Sequence, residues 1–162
     1  MVDMQRLSYE YLLLLEQKRD DIVLLPKKGD MLHWRGVVRG PPRTPYEGYE
    51  FEFEITLSES YPNKNPTGRF ITKIYHPNVK FDSGDICLGL LNGLKSERNP
   101  SGWDKSNTLA DVAKAILVLL AKPYPNDAYN PEAAKLYIEN YQEFEKRVNY
   151  YCKKYAKPVN RR

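Results

Sequence analysis
The chain has 162 residues, 41% of them hydrophobic and 28% charged, with a net charge of +4. That is about one domain's length and the composition of a packed globular fold, which excludes a disordered or low-complexity chain. The mild positive balance does not argue for nucleic acid as a partner, and the longest apolar run, Tyr11 to Leu15, falls far short of the roughly 20 residues of a membrane helix.

Residues 3–19 read as an amphipathic helix with Leu7, Tyr11, Leu14 and Leu15 on one face, ended by Asp20-Asp21. Asp3, Arg6, Glu10 and Glu16 interrupt it, so it is not expected to be a secretory signal. Strand-like segments follow at 22–25, 32–39, 50–57 and 69–72, separated by turn signals rich in Pro, Gly and Asn. The third is the clearest, because Phe51, Phe53, Ile55 and Leu57 alternate with Glu52, Glu54 and Thr56. This spacing predicts an antiparallel meander with one wet face. Residues 73–107 look irregular, a stretch long enough to demand a functional explanation. Thr108 and Asp111 suggest a capping box for a helix carrying Leu109, Val112, Ala113, Ile116, Leu117 and Leu120, which ends before Pro123. Asn130-Pro131-Glu132 starts one or two closing helices, with Tyr137, Tyr141, Phe144, Val148, Tyr151 and Tyr155 at core spacing. A helix, then strands, then helices is an α+β order. Cys87 and Cys152 are too far apart in sequence to suggest a disulfide framework, so a reduced setting in cytoplasm or nucleus is expected.

The most informative stretch joins His76-Pro77-Asn78 to Gly84-Asp85-Ile86-Cys87-Leu88 across the turn signal Asp82-Ser83-Gly84. It places a nucleophile candidate, Cys87, near a side-chain amide, Asn78, on what reads as a surface loop. Cys87 between Ile86 and Leu88 also fits a buried core thiol. His76 could serve as general base or as a structural residue. His33, His76, Cys87 and Cys152 lack the spacing of a zinc site.

In their order, His33-Trp34, Gly40-Pro41, Thr44-Pro45-Tyr46-Glu47-Gly48, Tyr61-Pro62, Ile74-Tyr75-His76-Pro77-Asn78, Ile86-Cys87-Leu88 and Trp103 resemble the ubiquitin-conjugating enzymes. The resemblance runs from the first helix to about Tyr155. It implies an N-terminal helix, a four-stranded antiparallel meander and C-terminal helices, with a conjugating core at 1–157 and a short basic tail at 158–162. By position, Cys87 would take ubiquitin, or another ubiquitin-like modifier, as a thioester from an activating enzyme and pass it to a substrate lysine or a ligase cysteine. Asn78 would support the loop or the oxyanion, Asp127 would orient an incoming lysine, and His76 would be structural. The implied partners are the modifier, the activating enzyme, a ubiquitin ligase and substrate proteins, without nucleic acid or membrane and with the chain as a monomer. No cofactor is implied, because ATP is used by the activating enzyme. A non-catalytic module of the same fold is the alternative, opposed by the presence of both Asn78 and Cys87.

The departures from the family pattern concern what receives the acyl group. Gly89 stands where many members carry Asp or Ser, and the stretch from His76 to Cys87 is one residue longer than usual. The 92–102 insertion is polar with mixed charge, where the family's insertions are typically acidic. Asn63 and Asp104-Lys105-Ser106 replace apolar ligase contacts, Leu57-Ser58 replaces Phe-Pro, Tyr49 replaces Gly, and Tyr124 stands where the family often has a polar residue.

Overall fold
Asp3 accepts the Arg6 amide on its carboxylate at 3.0 Å and so caps α1 (Met4–Gln17), which ends as Lys18 turns left-handed at φ 46°. The computed structural model of the protein describes residues 2–92 and 102–159. After α1 the chain forms β1 (Ile22–Lys27), β2 (Asp30–Arg39), β3 (Tyr49–Thr56) and β4 (Thr67–Phe70), an antiparallel meander in the order β1-β2-β3-β4. A short turn of helix, α2 (Gly89–Asn92), lies within the stretch read as irregular; α3 (Leu109–Ala121), a single 3-10 turn (Pro125–Asp127), α4 (Pro131–Glu139) and α5 (Tyr141–Tyr155) follow. Among the described residues no helix is long and apolar enough to cross a membrane.

The expected alternation on β3 is fully realised. Phe51, Phe53 and Ile55 are 0% exposed and Leu57 is 3% exposed, and each such burial contributes about 1.5–3 kcal/mol. Gly36 lies opposite Phe53 in the β2–β3 register, and a Cβ there would sit 2.2 Å from the phenyl ring. A glycine in mid-strand is therefore what lets the ring lie flat across β2. The capping box forms as read, with the Asp111 amide on Thr108 Oγ1 at 3.1 Å and the Thr108 amide on Asp111 Oδ2 at 3.0 Å.

The structure corrects four expectations. A short fifth strand, β5 (Lys157–Pro158), joins the four and pairs with β3, and Val159 donates to the Gly48 carbonyl at 2.9 Å. The sheet therefore runs past residue 157 into the segment assigned to the tail. β4 begins two residues before the expected 69, at Thr67. Leu15 is 46% exposed, so the buried face of α1 is led by Leu7 alone, with Tyr11 and Leu14 half-buried against the core. The closing segment is two helices that share Asn140 as the cap of both, and their core is Phe144, Val148 and Cys152, while Tyr141 and Tyr155 are 44% and 40% exposed. The 3.6-residue period is satisfied by either stripe, and the small Cys152 fills the inner one. Residues 93–101 of the expected insertion lie outside the described residues.

Glu10, one of the charges that interrupt the first helix, is only 1% exposed. Its carboxylate accepts from Arg6 Nε at 2.8 Å, from the Tyr61 hydroxyl at 2.6 Å and from the Leu109 amide at 2.6 Å. Leu109 opens α3, so the carboxylate satisfies a helix N-terminal N–H and meets the positive end of the helix dipole. Arg6 continues the link to the carbonyls of Lys105 and Asn107. One carboxylate thus ties α1, the Tyr61 loop and α3 together. Replacing it leaves Arg6 and the Tyr61 hydroxyl without their acceptor, so Glu10→Ala is expected to lower unfolding stability by about 3 kcal/mol. Urea unfolding checks this, and a midpoint unchanged from wild type would contradict the buried role.

Candidate active site
Three segments build the site: the hairpin from His76 to Cys87, α2 just after it, and the loop from Lys122 to Asn130 between α3 and α4. The hairpin closes through the Val79–Ile86 bridge and the Lys80 amide on the Asp85 carbonyl at 2.9 Å. Its turn rests on Gly84, at φ +82°, where a Cβ would lie 2.0 Å from the Phe70 carbonyl oxygen. The Phe70 amide donates to the Gly84 carbonyl at 2.8 Å, which fastens the turn to the end of β4. A residue with a side chain would fail there on both conformation and space.

Asn78 is not on the surface, as its loop-like neighbours suggested, but 0% exposed. Its side-chain Nδ2 donates to the carbonyls of Tyr124 at 2.8 Å and Asp127 at 2.9 Å, and its Oδ1 accepts the Tyr124 amide at 2.8 Å. Its backbone carbonyl accepts the Cys87 amide at 2.8 Å. One asparagine therefore holds the loop bearing Asp127 on its side chain and the cysteine on its main chain. Both amide hydrogens are engaged by backbone oxygens, which makes bracing the role this geometry expresses. The Pro77 carbonyl adds two more ties, accepting from Tyr129 at 2.9 Å and Asn130 at 3.0 Å.

His76 sits beneath this brace, 0% exposed. Its Nδ1 receives the Asn78 amide at 3.0 Å, so that nitrogen carries no proton, and Nε2 faces the Leu119 carbonyl at 2.9 Å and donates to it. Those partners select one neutral tautomer. Burial pushes the imidazole down to about 4, against a smaller upward pull from the Leu119 carbonyl. It is a structural pin without access to Cys87, in keeping with the reading that set aside a general base.

Cys87 is half-buried and free. Burial pushes its thiol above the ordinary value, the Asp127 charge adds to that, and the Tyr129 hydroxyl works the other way. The thiol is thus mostly protonated at neutral pH, unlike a protease cysteine paired with an imidazolium. Cys152 is buried on α5, where desolvation alone carries it to about 12, so it is an inert core thiol. Gly89 begins α2 and is buried, and the charge of Asp127 acts on the Cys87 thiol. Among the described residues no group of three or more His, Cys, Asp or Glu side chains could hold a metal ion.

Sequence reading missed Tyr129 and Asn92. Asn92 Nδ2 donates to the Tyr129 hydroxyl at 3.0 Å, which ties α2 to the loop that carries Asp127. Both flank residues already singled out, Tyr129 two positions after Asp127 and Asn92 at the edge of the 92–102 insertion. That adjacency was the available signal. Asn63 is exposed, and Trp103 is turned inward, donating Nε1 to the Pro62 carbonyl at 2.8 Å and packing on Tyr61 with ring centroids 5.7 Å apart.

With this geometry in hand, comparison with known proteins is direct. The family model described as ubiquitin-conjugating enzyme matches residues 6–152. The chain is 38% identical over 132 residues to ubiquitin-conjugating enzyme E2 pex4 of Dictyostelium discoideum, covering 81% of this chain and 83% of that protein. It is 37% identical over 144 residues to ubiquitin-conjugating enzyme E2 1 of Caenorhabditis elegans, covering 89% and 70% respectively. The solved E2 domain of a Toxoplasma gondii ubiquitin conjugating enzyme superposes with a TM-score of 0.82 at 32% identity, covering 96% of this chain and 99% of that one.

A His buried neutral contributes stability that is complete above its unfolded value of 6.5 and is lost as pH falls towards about 4, because between those values the unfolded chain binds the proton and the fold does not. The loss from this group is expected to reach about 2 kcal/mol by pH 5. NMR titration checks it: the His76 ring resonances should stay flat from pH 7.5 to 5, and a midpoint near 6.5 would contradict the burial.

Proposed function
Because this chain belongs to the ubiquitin-conjugating enzyme family and is a ubiquitin transferase, we propose that Cys87 carries the C-terminal acyl group of ubiquitin as a thioester and that the Asp127 loop delivers it to an amine. Charging is an exchange between thioesters. The Cys87 sulfur attacks the carbonyl carbon of the activating enzyme's thioester, that C–S bond breaks, and the proton lost by Cys87 is regained by the departing thiol. ATP is consumed upstream, and the chain's own part needs no metal or nucleotide.

Discharge to lysine is the step this site is arranged for. The carboxylate of Asp127 holds the incoming ammonium and favours loss of its proton, which exposes the nitrogen lone pair to the thioester carbon. The raised thiol makes sulfur a reluctant leaving group, so the thioester resists water while an oriented amine reacts. Asn78 acts as a positioning residue. A role as oxyanion donor would require it to release the Tyr124 or the Asp127 carbonyl.

The observation that carries this reading is the double hold of Asn78, whose side chain binds the Asp127 backbone while its carbonyl binds the Cys87 amide. Nucleophile and acid are fixed in one frame, which is what aminolysis of a thioester requires. The activating enzyme, a ligase and substrate proteins are the implied partners, and the reduced thiol of Cys87 suits a cytoplasmic or nuclear setting.

Incubation with activating enzyme, ATP and ubiquitin is expected to give an adduct cleaved by reductant, lost in Cys87→Ala and kept in Cys152→Ala. Charging by the activating enzyme of another modifier, with none by ubiquitin's, would reassign the cargo; no adduct with any modifier would end the reading. In single-turnover discharge to free lysine, Asp127→Ala is expected to be slower by about 10²-fold, within the range for a positioned acid–base group. A rate equal to wild type would return Asp127 to an ordinary loop residue.

A further inference from the structure
The hairpin that carries Cys87 also presents an amine on the face where the thioester forms. We propose that Lys80 is an internal acceptor, a self-modification site: its Nζ attacks the Cys87 thioester of the same molecule and takes the modifier as an isopeptide. This rests on the reading of Cys87 as the acyl carrier.

The register of the hairpin brings the two side chains together. The Cys87 amide donates to the Asn78 carbonyl at 2.8 Å and the Lys80 amide to the Asp85 carbonyl at 2.9 Å, on either side of the Val79–Ile86 bridge. Val79 is 0% and Ile86 2% exposed, so that pair faces the core. Strand alternation then turns Asn78, Lys80, Asp85 and Cys87 to the opposite face. Diagonal neighbours on one face of an antiparallel pair lie about 7–8 Å apart, a gap that a four-carbon lysine stem spans to a cysteine thioester. Lys80 is exposed, yet its ammonium stands 5.4 Å from the centroid of the Tyr129 ring. The Tyr129 amide is bound to the Pro77 carbonyl at 2.9 Å, and its hydroxyl accepts Asn92 Nδ2 at 3.0 Å. The amine is therefore held towards α2 and the Asp127 loop instead of trailing past the turn. That hold is a cation–π contact, weak at an exposed site. A cleft of about 480 Å³ lined by Lys80, Asp85, Tyr129 and Asn130 leaves the amine room to swing.

The step balances without a further reactant. The ammonium gives one proton to water, and the free amine forms the C–N bond as the C–S bond breaks. The electron pair of that bond stays on sulfur. A second proton leaves the nitrogen for water and the thiolate takes one back, so Cys87 returns as a thiol. Because acceptor and thioester share one chain, the local concentration of the amine is on the order of millimolar or higher. The reaction needs no encounter, and a charged molecule without a substrate transfers its modifier to itself.

In the test, the wild-type protein is charged with ubiquitin, charging is stopped by removal of ATP, and the thioester is left without added amine. A conjugate that resists reductant is expected to form with first-order kinetics, at a rate unchanged over an about tenfold range of enzyme concentration. Tryptic digestion and mass spectrometry should place the remnant of the modifier on Lys80. Lys80→Arg keeps the cation–π contact and is expected to charge as wild type while forming about tenfold less conjugate. A thioester that decays with the remnant on other lysines, or with none, overturns the proposal and leaves the reading of Cys87 standing. A rate that scales with enzyme concentration overturns it too, since the acceptor then belongs to another molecule. Failure of Cys87 to charge with any modifier removes the transfer reading, and the proposal with it.

Discussion
Everything at this site depends on a buried primary amide. Asn78 spends both hydrogens and its oxygen on the backbone of Tyr124 and Asp127, and its main chain spends its oxygen on Cys87. A buried polar side chain is costly unless it is satisfied, and here satisfaction demands that an otherwise irregular loop hold one shape. The backbone of Asp127 is then held in one frame with that of Cys87 without relying on loop rigidity of its own. His76 extends the constraint inward, since its neutral ring joins the Asn78 amide to the last turns of α3 through Leu119.

The electrostatics follow from that placement. A half-buried thiol beside a carboxylate is held protonated, which protects it from stray oxidation and alkylation. Under the transfer chemistry proposed above, reactivity comes from the partners, an activated thioester on the way in and an oriented amine on the way out.

Much of the fold was legible because it rests on local rules. The alternation of Phe51, Phe53 and Ile55, the Thr108–Asp111 box and the Asn130-Pro131 start are each decided within a few residues. Cys87, Asn78 and Asp127 were singled out through their order in a shared pattern, and the hydrogen bonds of Asn78 link the three. What sequence could not give were the long-range decisions. The acceptor role of Glu10 was not visible, because it depends on Tyr61 and Leu109 meeting it. Asn78 looked exposed because the residues around it favour turns, whereas the loop from 122 to 130 folds over it. Tyr129 could not be linked to Asn92 until α2 and that loop were placed side by side. The tyrosines of α5 were misjudged because Phe144, Val148 and Cys152 take the inner face and leave Tyr141 and Tyr155 at its edge.

Native-state amide exchange in Asn78→Ala tests the brace most directly. The Tyr124 amide loses its acceptor and is expected to exchange faster by about tenfold or more. The decisive probe is the Tyr129 amide, which bonds to Pro77 and never touches the Asn78 side chain. If the asparagine holds the whole loop, Tyr129 speeds up together with Tyr124 while Phe53 in β3 stays protected as in wild type. Acceleration confined to Tyr124 would contradict the claim that one side chain fixes the whole loop from 122 to 130 against the hairpin that bears Cys87.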